Sequence, residues 1–249
     1  MFVNSAMNFF QYLLLFATVA ASGLLFFAIK KPNPQTLKLA LAFSGAYLFG
    51  MCLIHLLPHL YEGADIHTVG YFILGGFIFQ VVLEYFSEGI EHGHIHVHKH
   101  HSKIFPLSMM LSLGLHAFIE GMPLEGNFMS HDHGHGNETL LTGIILHHMP
   151  VAFALASMLF ESGLSKTLTG AMVLIFAAMA PAGALFSKYL SATDALMLSS
   201  YFNNIMAVVI GIFLHISTTI LFESNNDHRF NLYKLLTVLG GMVLVILIG

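Results

Sequence analysis

Two short strings place ionisable side chains inside long apolar stretches: Leu115-His116-Ala117-Phe118-Ile119-Glu120-Gly121 and His147-His148-Met149-Pro150. Imidazole nitrogens and a carboxylate are ligands for borderline transition metals, and both groups can carry protons. In hydrocarbon such groups are costly unless they pair or face a cavity, so several at one depth imply a shared pathway. His116 and Glu120 lie four residues apart, which sets both on one face of a helix. His147 offers a second nitrogen from the next stretch. His148, turned about 100° from it along a helix, is either a ligand of a second site or a partner for a neighbour. Pro150 leaves a carbonyl about one turn earlier without its helical partner, and such opened backbone is tolerated where it lines a cavity. Nearer the N-terminus, His55 and His59 are again four apart, with Pro58 between them and Glu62 just beyond. They form either an entrance site for an ion or a packing contact against neighbouring loops. His215, alone in a late apolar stretch, reads as an interhelical hydrogen-bond partner.

These residues need membrane helices to position them. Of 249 residues, 56% are hydrophobic and 9% charged, too apolar for a soluble domain and too long for a single anchor. Charge-poor windows of about 20 residues predict an all-α polytopic membrane helix bundle. Its eight transmembrane helices cover 8–29, 37–60, 69–89, 104–124, 139–160, 167–190, 198–222 and 232–248. The chain 1–249 is then a single transmembrane domain. The first apolar run has no basic residue ahead of it and is expected to stay as a helix. Short connections such as Pro32-Asn33-Pro34 and Glu161-Ser162-Gly163 require the spans to pack as one bundle.

Charge orients that bundle. With eight spans, Lys30, Lys31, Lys38, Lys99, Lys103, Lys166, Arg229 and Lys234 fall on one side and Lys188 alone on the other. The basic side is the cytoplasmic one, so both termini are expected outside. The bilayer of a cell membrane, plasma or inner, is the first partner. Sparse, scattered basic residues exclude a nucleic acid, and the bundle is compatible with a homodimer. Cys52 is the sole cysteine, so no intramolecular disulfide forms. The 14 methionines and 23 phenylalanines read as packing and lipid-facing residues rather than a cofactor box.

Depth then brings the ligand-type residues together. At about 1.5 Å per residue, His116 lies about 18 Å from the cytoplasmic start of its span and His147 about 12 Å from the outer start of its own. In a core of about 30 Å these depths coincide near the midplane. His116, Glu120 and His147 are therefore expected to share one metal seat, with the cation as cargo and no catalytic cofactor. Two histidine-biased loops flank it. The cytoplasmic loop, 91–103, carries His92, His94, His96, His98, His100 and His101; the outer loop, 125–138, carries His131, His133 and His135. Flexible tracts of this kind read either as metal collectors or as solvated linkers, and two of them on opposite faces of the bundle favour metal handling.

Transport is the default reading, with two competitors. A metal exporter would use the same residue types, usually with a metal-sensing cytoplasmic domain and further intramembrane aspartates. A zinc-dependent intramembrane hydrolase would need a general base beside the metal. Only Glu120 is at hand for that, and no His-Glu-x-x-His pattern occurs.

The strings His55-Leu56-Leu57-Pro58-His59, Leu115 to Gly121 and His147 to Ala156 resemble signatures of the ZIP (Zrt-, Irt-like protein) family of divalent metal transporters. Eight spans, outside termini and a His-rich loop after span three agree with it along nearly the whole chain. The resemblance implies zinc-type cation uptake into the cytoplasm, a site between spans four and five, and sliding of one helix bundle past another. The chain also departs from the two-metal pattern of that family. Ala117 stands in place of Asn, His148 of an acid, Val151 of Glu or His, and Ala180 of Glu. The strings look nearer the branch with His-Ser-x-x-Glu-Gly in span four and His-Lys in span five, where a basic residue replaces the second metal. His148, protonated, is the residue in that position. The resemblance therefore implies one metal per pathway, held by a nitrogen-rich set unsuited to Mg or Ca.

Overall fold

The computed structural model describes residues 7–29, 33–62, 65–87, 105–125, 136–192, 198–222 and 232–248. Both histidine tracts, and the expectations placed on them, lie outside these residues. Each predicted span is a helix: α1 Phe9–Leu25, α2 Pro34–Tyr61, α3 Ile66–Ser87, α4 Phe105–Gly121, α5 Gly136–Glu161, α6 Lys166–Ala192, α7 Leu198–Phe222 and α8 Leu232–Ile248. No strand occurs among the described residues. Six of the helices, α2 to α7, are long and apolar enough to cross a membrane, while α1 and α8 are apolar but shorter, at 17 residues each.

Local chemistry sets where the helices start and stop. Asn8 caps α1 in a reciprocal pair: its side chain accepts from the Gln11 amide at 3.0 Å, and Gln11 Oε1 accepts from the Asn8 amide at 2.9 Å. Asn33 caps α2 ahead of Pro34, whose missing N–H costs nothing at a first helical position. Asp65 caps α3 by accepting from Thr68 N at 3.0 Å and Thr68 Oγ1 at 2.6 Å. Those donors hold its carboxyl below the usual range. Gly163, at φ 94°, turns the chain between α5 and α6 in a conformation that a Cβ disfavours.

One irregularity departs from the reading of span two as a plain helix. Cys52–Leu56 forms a π turn, closed by the Leu57 amide on the Cys52 carbonyl. The ring of Pro58 crowds the carbonyl four residues before it, and the wider turn supplies the room.

The helices pack in two groups. In one, α1 lies on α5 and α6, and α4 lies on α6; in the other, α3 lies on α7, and α2 lies on α7 and α8. Backbones approach closely inside each group. Gly121 of α4 sits against the Ala180 carbonyl of α6, and Gly183 of α6 against the Phe118 carbonyl of α4. Gly76 of α3 and Gly211 of α7 press on the backbone at Val208 and Ile73. No side chain fits at such crossings. The groups meet along a seam where α2 faces α5 and α3 faces α4. Several contacts there are made by side chains. Gly143 of α5 faces Tyr47, Leu48 and Met51. Tyr47 Oη donates to the Thr139 carbonyl at 3.0 Å, and Ser112 Oγ donates to the Leu83 carbonyl at 2.5 Å.

Candidate metal centre

Two of the four central residues, His116 and His147, reach across that seam, and all four are sealed: His116, Glu120 and His147 are 0% exposed and His148 1%. The four-residue spacing on α4 does put His116 and Glu120 on one face, with His116 Nε2 3.3 Å from Glu120 Oε1. From α5, His148 Nε2 reaches the other carboxylate oxygen, Oε2, at 2.7 Å. Ligand atoms of His116, Glu120 and His148 lie within 4.8 Å of one another, the one such cluster among the described residues. His147 stands beside them. Its ring centroid is 6.1 Å from that of His116 and 6.0 Å from that of His148, and His116 and His148 are also 6.1 Å apart.

This arrangement differs from the sequence expectation in one respect. His148, rather than His147, makes the direct contact with Glu120. The 100° between adjacent residues does not keep their rings apart, because the imidazoles converge from different starting points on one pocket.

The two contacts of Glu120 have different lengths, and the difference has chemical meaning. Donor atoms about 2.0–2.1 Å from a tetrahedral zinc lie roughly 3.3–3.4 Å apart. His116 Nε2 and Glu120 Oε1 already have that spacing. The 2.7 Å contact of His148 is shorter, at the length of a hydrogen bond between an imidazole and a carboxyl group. Two imidazoles bound to one tetrahedral ion would have centroids about 5 Å apart, so His147 and His116 need close by only about 1 Å to share it.

Gln80 and Ser44, both from the other helix group, support the two rings. His116 Nδ1 lies 3.2 Å from Gln80 Oε1, and His147 Nδ1 lies 3.4 Å from Ser44 Oγ. Pro150 sits within a continuous α5, and the neighbouring Met149 carbonyl accepts from Ser22 Oγ of α1 at 2.7 Å. Ala117, Val151 and Ala180 are buried and supply no ligand atom.

The remaining candidates sit elsewhere. His55 and His59 do not join the central cluster. His59 Nδ1 lies 4.0 Å from the largely exposed Glu62, while Nε2 of His55 is buried without a hydrogen-bond partner among the described residues. His215 has the interhelical role expected of it, with Nε2 2.6 Å from Glu84 Oε2 and its ring edge-on to Phe77.

Several of these partners escape a reading of the sequence. Gln80 and Glu84 are four apart in span three, the same signal that marks His116 and Glu120, but neither is a histidine. Glu125, assigned to the start of the outer loop, is instead a buried anchor. It accepts from Tyr12 Oη at 2.7 Å and Lys188 Nζ at 3.2 Å, while its carbonyl accepts from Ser187 Oγ.

Fold and site together define a multi-pass helical membrane protein with a sealed histidine and carboxylate cluster of metal-ligand type between two helix groups. The chain belongs to the ZIP zinc transporter family, whose profile matches residues 91–249. No curated protein matches the chain. The family transports divalent metals, generally zinc, and is not a family of enzymes. The hydrolase alternative is thereby set aside.

Proposed function

We propose that the protein takes up zinc, moving it toward the cytoplasm through a single seat between α4 and α5. His116, Glu120 and His147 bind the ion. His148 stays on Glu120 as a fixed cation in place of a second metal. The unequal spacing around Glu120 carries this reading: one oxygen sits at ligand-to-ligand distance from a nitrogen, the other at hydrogen-bond distance. All eight helices span, both termini lie outside, and the group containing α1, α4, α5 and α6 slides along the other to expose the seat alternately. The segregation of basic residues supports that orientation, and the side-chain seam between groups with close backbone crossings supports the sliding.

The test is uptake of radioactive zinc by the purified chain in vesicles of known orientation. His116→Ala and His147→Ala are each expected to weaken uptake by at least about a hundredfold, because even changes to groups behind the ligands cost about 10- to 100-fold. Glu120→Lys should be worse than Glu120→Ala, since it sets a like charge beside the cation. Near-normal uptake by either histidine variant would sink the seat, and transport in the outward direction only would overturn the assignment of uptake.

A further inference from the structure

We propose that Gln80 is a positioning residue that keeps His116 in the tautomer able to bind metal, and that it does so only while the two helix groups are docked. The inference rests on the seat described above and concerns how that seat is made ready.

Gln80 is fully buried on α3, in the helix group opposite to the one bearing His116. Its Oε1 lies 3.2 Å from His116 Nδ1. An amide oxygen accepts but cannot donate, so the ring supplies the proton from Nδ1. A neutral imidazole carries one proton, and with Nδ1 protonated the lone pair is on Nε2. Nε2 is the nitrogen that faces Glu120 Oε1 at 3.3 Å. In the other tautomer Nε2 would point a proton at the ion.

The second histidine repeats the device. Ser44 Oγ gives its own proton to the Leu41 carbonyl at 3.0 Å, leaving its oxygen to accept from His147 Nδ1 at 3.4 Å. Ser44 is on α2, again in the group opposite to the ligands. Both rings therefore take their tautomer from a helix group that contributes no ligand. Movement of one group along the other must break both contacts. Metal affinity is in this way highest in the docked arrangement and falls when the groups shift, which favours release once the seat has moved.

Groups that orient ligand histidines typically contribute 10- to 100-fold to metal affinity. In vesicles, Gln80→Leu is expected to raise the zinc KM by about 10- to 100-fold. Gln80→Glu restores an acceptor for Nδ1–H and is expected to stay within about threefold of the parent. A Gln80→Leu KM within about twofold of the parent, or equal impairment of the two variants, overturns the inference. Should Gln80→Leu fail to fold, nitrogen-15 NMR of histidine-labelled, metal-free parent protein decides. The His116 signal, identified by its loss in His116→Gln, should show the proton on Nδ1, and a proton on Nε2 overturns the proposal. Failure of the parent chain itself to take up zinc would strike the transport reading instead, so the two failures are distinguishable.

Discussion

Glu120 meets two nitrogens at unequal distances, 3.3 Å to His116 and 2.7 Å to His148, and the roles proposed for the two histidines rest on that inequality. His148→Lys should keep zinc uptake within several-fold of the parent, since lysine preserves a cation beside Glu120. His148→Ala should weaken uptake much further by leaving a buried carboxylate oxygen with no partner, a loss of about 2–5 kcal/mol by analogy with other truncated buried charge pairs. His148→Glu should raise the number of tightly held zinc ions by one once the histidine loops are removed, as read by metal analysis of the purified protein. Equal zinc uptake by the Lys and Ala variants would refute the cation role. The nearness of His116, Glu120 and His147 was legible because an ionisable side chain is costly in an apolar segment and groups at matched depth share that cost by meeting, but the tighter cluster is completed by His148. The partner of His148 was not, since helical rotation says where a side chain starts and not what long, converging side chains meet. Gln80 was hidden for a different reason: an uncharged amide in a membrane span carries no signal until its partner is known.

Helix boundaries were the most readable level, because the absence of charge over a membrane thickness is a strong and redundant pattern. Predicted and observed ends agree within a few residues from α1 to α8. What could not be read was how each helix approaches its neighbours. Pro58 signals a disturbance in α2 but does not choose between a kink and the π turn that accommodates it. Glycines in membrane helices are common, so nothing in the sequence singled out Gly183 over Gly75. The structure does: a Cβ at Gly183 would collide with the Phe118 backbone, whereas one at Gly75 meets nothing within 4 Å. Gly183→Ala must therefore separate α4 from α6, costing about 1–3 kcal/mol. The variant should melt at lower temperature in detergent and show a raised zinc KM, because Phe118 lies between His116 and Glu120. Gly75→Ala should match the parent in both measurements. Unchanged melting of Gly183→Ala would mean that the α4 to α6 crossing is looser than its geometry implies.

At the scale of the whole molecule, two helix groups share a seam, and the seat proposed for the ion lies against it. A cysteine pair at Leu48 and Gly143, with Cys52→Ala removing the native thiol, should report on relative movement, since these positions face each other across α2 and α5. Cross-linking is expected to stop zinc uptake and a reductant to restore it, while each single variant still transports. Full uptake by cross-linked protein would exclude sliding along this face. The division into groups was not legible in the sequence, because it depends on pairings between helices far apart in the chain, such as α3 with α7 and α2 with α8. The pairing of Glu120 with His148 also has an electrical consequence. In the proposed arrangement, with His148 carrying the proton opposite an ionised Glu120, the empty seat returns with no net charge, whereas the zinc-loaded seat carries two. Each elementary charge moved through the full membrane field gains about 2.3 kcal/mol per 100 mV, or about 4.6 kcal/mol for the loaded step. An inside-negative potential should therefore accelerate inward delivery of zinc without hindering the empty return, and the current measured should equal two charges per ion. A voltage-independent rate with no current would show that compensating charge travels with the metal, and that the resting voltage of a cell does not power the cycle.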